Sequence, residues 1–183
     1  MKIFGVDPGS ARTGYGCIES DGSRHRGLVC GALAPPAGAT FPEKLLVIHD
    51  GLAELLARHS PDIVAIEDLF HARNARSALK LGHVRGVVML AASQAGVPVA
   101  EYAPTEVKRA VVGYGRAEKH QVQRMVMLLL DLREAPTPLD VSDALAVAVC
   151  HSHAAGPTSG RAAGVEDRPA RGSWRRYRPR INS

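Results

Sequence analysis

Four carboxylates stand at positions from which they could meet. The chain opens Lys2-Ile3-Phe4-Gly5-Val6-Asp7-Pro8-Gly9-Ser10, an apolar run that ends on an acid and breaks into a Pro-Gly turn. A second apolar run, Ile63-Val64-Ala65-Ile66, ends on Glu67-Asp68. Asp140 and Asp143 are three residues apart, so on a helix they share a face. Acids at the ends of two buried strands, with two more on a nearby helix, can hold Mg²⁺ against a phosphodiester. Mg²⁺ prefers hard oxygen ligands and keeps several waters, which suits four carboxylates with no Cys among them. Two such ions ~4 Å apart would activate a water and neutralise the leaving 3′-oxygen. Asp7, central in the sheet, is the expected bridge, with Glu67 and the Asp140/Asp143 pair completing one side each, and Mn²⁺ is expected to substitute. The chemistry is that of a metal-dependent nuclease.

Each acid also has a plainer reading. Asp7 before Pro-Gly could be a turn former. Asp140 could serve a helix N-terminus, since Thr137-Pro138-Leu139-Asp140 is similar to a capping box. That reading is weaker for Asp143, which lies a turn deeper and begins the apolar run from Ala144 to Cys150. Glu67 follows four apolar residues, where an unpaired carboxylate would be costly. Asp68 is expected to point the other way and be structural. His151 and His153 fall at a helix C-terminus, where the dipole accounts for them.

The elements that must position these groups follow from periodicity. Residues 2–7, 14–19, 27–34, 63–67 and 97–102 read as strands, separated by Gly-, Pro-, Asp- and Ser-rich turns. Residues 41–58, 75–95, a segment from 104 that fails at Gly113, 117–132 and 139–153 read as helices. The order β-β-β-α-β-α-β-α-α-α predicts an α/β domain with a mixed five-stranded sheet flanked by helices.

Composition bounds the class. At 183 residues, 45% hydrophobic and 22% charged, one globular domain over residues 1–155 is expected. Cys17, Cys30 and Cys150 are odd in number and show no paired spacing, which argues against a disulfide framework or zinc site and for a reducing cytoplasm. No signal-peptide core and no membrane-length apolar run is visible. The net charge of +5 resides in residues 156–183, where seven Arg face Glu166 and Asp167, in a Gly/Pro/Arg-rich tail expected to be disordered. Within the neutral remainder, residues 71–124 carry nine Lys/Arg against three Glu. A basic middle set against acidic strand ends suits an enzyme that grips a polyanion. Arg73, Arg76, Lys80 and His83 fall within ~80° on a helical wheel. A solvated face is the default for such a stripe, but it follows Glu67 directly, so Arg76 and, less strongly, Lys80 are candidate phosphate contacts.

Several ordered blocks resemble the RuvC-type Holliday-junction resolvases of bacteria. They are Gly5-Val6-Asp7-Pro8-Gly9-Ser10 with Thr13-Gly14-Tyr15-Gly16, Ala65-Ile66-Glu67 with Phe70, and Asn74-Ala75-Arg76-Ser77-Ala78-Leu79-Lys80-Leu81-Gly82. Glu101-Tyr102-Ala103, Val107-Lys108, Val111-Val112-Gly113, Ala117-Glu118-Lys119 with Gln121-Val122-Gln123, and Asp143-Ala144-Leu145-Ala146 complete the set. The resemblance spans nearly the whole domain and excludes the tail. It implies an RNase H-like fold and a homodimer that uses divalent metal to nick two symmetric strands of a four-way DNA junction. It also implies 5′-phosphate and 3′-hydroxyl products and a partnership with the RuvA–RuvB branch-migration motor. The family's four catalytic acids map onto Asp7, Glu67, Asp140 and Asp143. Its DNA-binding and catalytic lysines fall on Lys108 and Lys119, and Phe70 would stack on a base at an opened junction. The family's dimer contact lies along the helix with the small-residue notch Gly82-His83-Val84-Arg85-Gly86.

Two other classes share parts of the pattern. A strand ending in Asp before a Gly-rich hairpin also opens sugar-kinase-like phosphotransferases, but those need two lobes and a second phosphate loop. A non-catalytic junction- or RNA-binding module on the same fold would have little use for four acids, whose repulsion opposes DNA.

Overall fold

The computed structural model describes residues 1–68 and 74–155. Phe70, Arg73 and the Arg-rich tail lie outside the described residues. Ten elements follow one another: β1 (Lys2–Asp7), β2 (Thr13–Ser20), β3 (His25–Leu33), α1 (Phe41–His59), β4 (Ile63–Glu67), α2 (Ala75–Gln94), β5 (Val99–Tyr102), α3 (Pro104–Val112), α4 (Lys119–Leu129) and α5 (Leu139–Ala154). The expected α/β mixed five-stranded sheet is present, in the order β3-β2-β1-β4-β5. β1 is central, antiparallel to β2 and parallel to β4.

Side-chain alternation along the strands divides the core into two. Phe4, Val6, Cys17, Val64 and Ile66 pack on one face against α1 and α2. Ile3, Ile18 and Ala65 pack on the other against α3, α4 and α5. Nearly every residue of α5 from Val141 to Ser152 is buried, as expected for a helix that is apolar all round.

That central helix can lie against the strands because glycine clears its path. Gly5 of β1 pairs with Gly16 of β2, and Asp7 pairs with Gly14. A Cβ on Gly5 would collide with the carbonyl oxygen of Ala144, and one on Gly14 with that of Asp140. The α5 backbone therefore rides directly on the sheet. Asp7 lies two residues beyond Gly5 on β1, and Glu67 two beyond Ala65, the β4 partner of Gly5. By the period of two, both acids face α5.

Element ends mostly follow the predicted signals. Thr40 and Glu43 form a capping box on α1, with the Thr40 N–H donating to Glu43 Oε2 at 2.6 Å. Ser60 closes the helix in a left-handed conformation (φ 44°). Several boundaries differ from expectation, among them the start of α4, at Lys119 and not 117. α4 stops at Leu129, not 132, because Asp131 turns left-handed (φ 49°) and Leu132 N–H donates back to Met127. β5 begins at Val99, since Val97 N–H closes onto the Ala92 carbonyl at the end of α2. β3 begins at His25, two residues early, because Asp21 accepts from Ser23 and Arg24 and tightens the β2–β3 turn. Cys17, Cys30 and Cys150 are free thiols. No described helix is long and apolar enough to cross a membrane.

Candidate metal and phosphodiester site

Asp7 ends β1 and is held by the turn behind it. The buried Thr13 hydroxyl donates to the Gly9 carbonyl at 2.9 Å, tying the Pro8-Gly9 turn to the start of β2. Glu67 ends the parallel neighbour β4, whose chain direction is kept by Asp68 N–H donating to the Tyr102 carbonyl at 2.7 Å. Asp140 and Asp143 occupy the first turns of α5, which the Gly5 and Gly14 track lays across the ends of β1 and β2. The N-cap of α5 is Pro138 with no side-chain cap bond, so the capping box suggested by Thr137 and Asp140 is not formed. Asp140 instead faces Arg12 at 3.5 Å.

The acids sense one another. Burial, then the charges of Glu67, Asp143 and Asp140, push the Asp7 carboxyl up to about 8. Burial, then Asp143, pushes Glu67 up to about 7, while Lys119 and Lys108 pull it down. Lys119, at the start of α4, donates to Asp143 Oδ2 at 2.5 Å. Burial works to lower the Lys119 pKa, but that hydrogen bond and the charges of Asp143, Asp7 and Glu67 outweigh it and raise it. Glu67, Lys108, Lys119 and Asp143 line one cleft of about 200 Å³.

A divalent cation fits this donor set. All four acids offer hard oxygens, and their mutual repulsion is what a cation relieves. Among the described residues, no three His, Cys, Asp or Glu side chains stand together so as to hold one ion as placed. Mg²⁺ keeps several of its waters and needs only one or two direct carboxylates, the rest of its shell being water or phosphate.

The remaining predicted residues divide. Lys108 and Lys119 lie in the cleft with Glu67 and Asp143, which Asp7 and Asp140 do not line; Arg76 and Lys80 do not line it either and stand exposed on the first turns of α2. That helix is capped by Asn74, whose side chain accepts from Ser77 N–H at 2.9 Å. The Lys80 ammonium lies 5.7 Å from the Phe41 ring centroid. Asp68 turns to Arg85 at 3.5 Å, and Arg85 also pairs with Glu101. Arg85, part of the basic middle in sequence, is thus an internal tie among β4, β5 and α2. Sequence reasoning missed Arg12. Its signal was its place in the β1–β2 turn, directly after Asp7-Pro8-Gly9.

The coupled acids give the metal-free protein a defined pH dependence. Asp7 binds its proton more tightly folded (about 8) than at its usual 3.8, and Glu67 likewise (about 7 against 4.5). The folded state then holds more protons than the unfolded state in that range, so these two groups make stability fall as pH rises from about 4 to about 8. Below pH 4 their contribution is fully present, and above 8 it is lost. Urea denaturation in EDTA across that range checks this by comparison with Asp7→Asn, which should have a shallower decline. Coincident pH profiles would contradict it.

The family model described as "Crossover junction endodeoxyribonuclease RuvC" matches residues 3–151. Among curated relatives, the crossover junction endodeoxyribonuclease RuvC of Azorhizobium caulinodans is 52% identical over 165 residues, covering 90% of this chain and 97% of that protein. The protein of the same name from Moorella thermoacetica is 51% identical, covering 83% and 91%. Among solved structures, Thermus thermophilus RuvC in complex with Holliday junction substrate superposes with a TM-score of 0.81 at 38% identity, covering 85% of this chain and 94% of that one. The yeast mitochondrial Holliday junction resolvase shares the fold, with a TM-score of 0.60 at 13% identity over 82% of this chain and 77% of that one.

Proposed function

Because this chain belongs to the RuvC family of crossover junction endodeoxyribonucleases, we propose that it resolves Holliday junctions in recombination and repair by metal-dependent nicking of two opposing strands. The observation that carries the chemistry is the meeting of Asp7 and Glu67, on adjacent strand ends, with Asp143 on α5, where burial first and their mutual charges second raise the pKa of Asp7 and Glu67. Asp7, Glu67, Asp140 and Asp143 would hold Mg²⁺, two ions per subunit, with Mn²⁺ as a substitute. When bound, the metal supplies a nucleophilic water near neutral pH and neutralises charge on the leaving 3′-oxygen.

The chain's own groups supply the rest. Asp7 is paired with Gly14 and Glu67 with Tyr102 in the sheet, so little backbone reorganisation is needed as charge develops. Lys119 brings a fixed positive charge to Asp143 and would stabilise transition-state charge on a phosphate held by the acids. Lys108 lines the same cleft. Arg76 and Lys80 would contact phosphates, setting register on the junction and making affinity fall steeply with salt. Phe70 would stack on an unpaired base, worth ~1–3 kcal/mol. Products would carry 5′-phosphate and 3′-hydroxyl ends, and the RuvA–RuvB motor would deliver the junction in the cytoplasm.

Two symmetric nicks call for a two-fold dimer. Support comes from an open apolar groove of about 620 Å³ over α1 and α2, lined by Leu45, Leu79, Gly82, Gly86, Val87 and Leu90. Leu79 is 65% exposed, and a Cβ on Gly82 or Gly86 would meet nothing within 4 Å, so a second helix has room to seat there. Leu79→Glu is expected to weaken dimerisation about a hundredfold, because association would bury an unpaired carboxylate. Sedimentation equilibrium reads this; an unchanged dimer constant would move the interface elsewhere.

The function itself is tested by comparing a synthetic four-way junction with a linear duplex of the same sequence. Nicks at symmetric positions on opposing strands of the junction only, sealed by DNA ligase, are expected. Equal cutting of the duplex would remove junction specificity, and tight binding with no cutting would favour a binding module.

A further inference from the structure

The C-terminal end of α5 carries a second cluster that the nuclease chemistry does not use. His25, at the start of β3, and His153, in the last turn of α5, bring their Nε2 atoms within 3.2 Å of each other. Their ring centroids are 5.1 Å apart and the planes are tilted by 53°. The opposite nitrogen of each ring is already engaged. His153 Nδ1–H donates to the Ala110 carbonyl of α3 at 3.2 Å. His25 Nδ1 meets Ser20 Oγ at 2.9 Å and Ser152 Oγ at 3.4 Å.

The His153 tautomer follows from its partner, while the hydroxyls beside His25 allow two. A carbonyl oxygen only accepts, so His153 carries its hydrogen on Nδ1 and leaves Nε2 bare when neutral. Ser152 Oγ donates to the Val149 carbonyl at 2.8 Å, and Ser20 Oγ accepts from Gly22 N–H at 3.0 Å. Both hydroxyl oxygens can therefore accept a hydrogen from His25 Nδ1. With the hydrogen on His25 Nε2 the two rings hydrogen-bond directly; with it on Nδ1 two bare Nε2 lone pairs face each other, and a shared cation joins them. Burial, then the His153 charge, lowers the His25 pKa, with Asp21 opposing, which keeps the ring free of a second proton near neutral pH.

We propose that His25 and His153 form a two-imidazole site for a borderline divalent transition-metal ion of the Zn²⁺ or Ni²⁺ class, tying the β2–β3 turn to the end of α5. Two nitrogens each 2.0–2.1 Å from a tetrahedral ion stand roughly 3.3 Å apart, which matches the observed 3.2 Å. Ligating histidines characteristically give their other N–H to a carbonyl or other oxygen, as both do here. Among the described residues no third His, Cys, Asp or Glu completes the set, so water fills the remaining positions. The pair lies ten residues along α5 from Asp143, roughly 15 Å away at 1.5 Å per residue. Imidazole selects a different metal from the carboxylate cluster, so the two sites are separable by ion type.

Calorimetric titration of Ni²⁺ into the full-length protein, with excess Mg²⁺ present, tests the site. His25→Gln and His153→Gln should each lower the Ni²⁺ affinity by at least about tenfold, the smaller end of what even an outer-shell change costs. Each should also lose the rise in melting temperature that Ni²⁺ gives the wild type, while junction cleavage in Mg²⁺ stays unchanged. His59→Gln should behave as wild type. One equivalent or less of Cu²⁺ on the unmodified protein should give an electron paramagnetic resonance spectrum split by two imidazole nitrogens, a readout independent of any variant's folding. Unchanged isotherms in both histidine variants, equal loss in His59→Gln, or copper coupling to fewer than two nitrogens would each overturn the proposal.

Discussion

Replacing Asp7 with asparagine is expected to lower the single-turnover rate of junction cleavage by about a thousandfold or more while the protein still folds and binds junction DNA. The reasoning starts from position. Asp7 is the acid that feels all three others, and its carboxyl is pushed up to about 8 by burial and by their charges. A group so placed contributes most to holding a cation and costs most when none is bound. Asparagine keeps the shape and one oxygen but removes the charge. Losing one preorganised donor in an active site costs roughly 10²–10³ in rate, and a shared metal ligand should cost more. In EDTA the variant should be more stable than the wild type near pH 8, because it no longer buries a carboxylate among like charges. A rate within tenfold of wild type would remove Asp7 from the centre of the site. Lost activity together with lost folding would show a structural role.

The second large effect is expected from a residue with no chemistry of its own. Gly5→Ala should destabilise the protein by about 3 kcal/mol, at the upper end of the cost of overpacking, and abolish cleavage in whatever fraction folds. The added Cβ would run into the Ala144 carbonyl, a backbone atom of a helix buried on nearly every side, with no flexible side chain to give way. Relief requires α5 to lift from the sheet, carrying Asp140 and Asp143 away from Asp7. Gly38→Ala is the matched control, since a Cβ there meets nothing within 4 Å and the residue lies outside the proposed dimer groove. Urea denaturation and junction cleavage of both variants check this. Equal stability of the two would mean that glycine does not set the height of α5 over the sheet.

The fold was readable where local pattern decides it. Alternation and turn residues located β1, β2 and β4. The apolar run from Ala144 to Cys150 marked a buried helix, and the endings on Asp7 and Glu67 placed two acids at strand termini. The way α5 comes to those termini was not readable, because it depends on contacts between Gly5 or Gly14 and residues more than 120 positions later. The same holds for Arg85, which in sequence belongs to the basic middle of the chain and by structure is held between Asp68 and Glu101. In sequence the helix dipole alone accounts for His151 and His153, yet the structure gives them partners on other elements: Tyr102 Oη at 2.7 Å for His151, and His25 for His153. The short α4 turned on one left-handed residue, Asp131, whose conformation is set by the tertiary path after Leu130.

The most direct test of the central claim is cleavage of a four-way junction by the purified protein with Mg²⁺, with Mn²⁺ and with EDTA, all at one ionic strength. Paired nicks with either metal and none with EDTA, while junction binding is retained, is the predicted result. Cutting that persists in EDTA would contradict a metal centre built from Asp7, Glu67, Asp140 and Asp143.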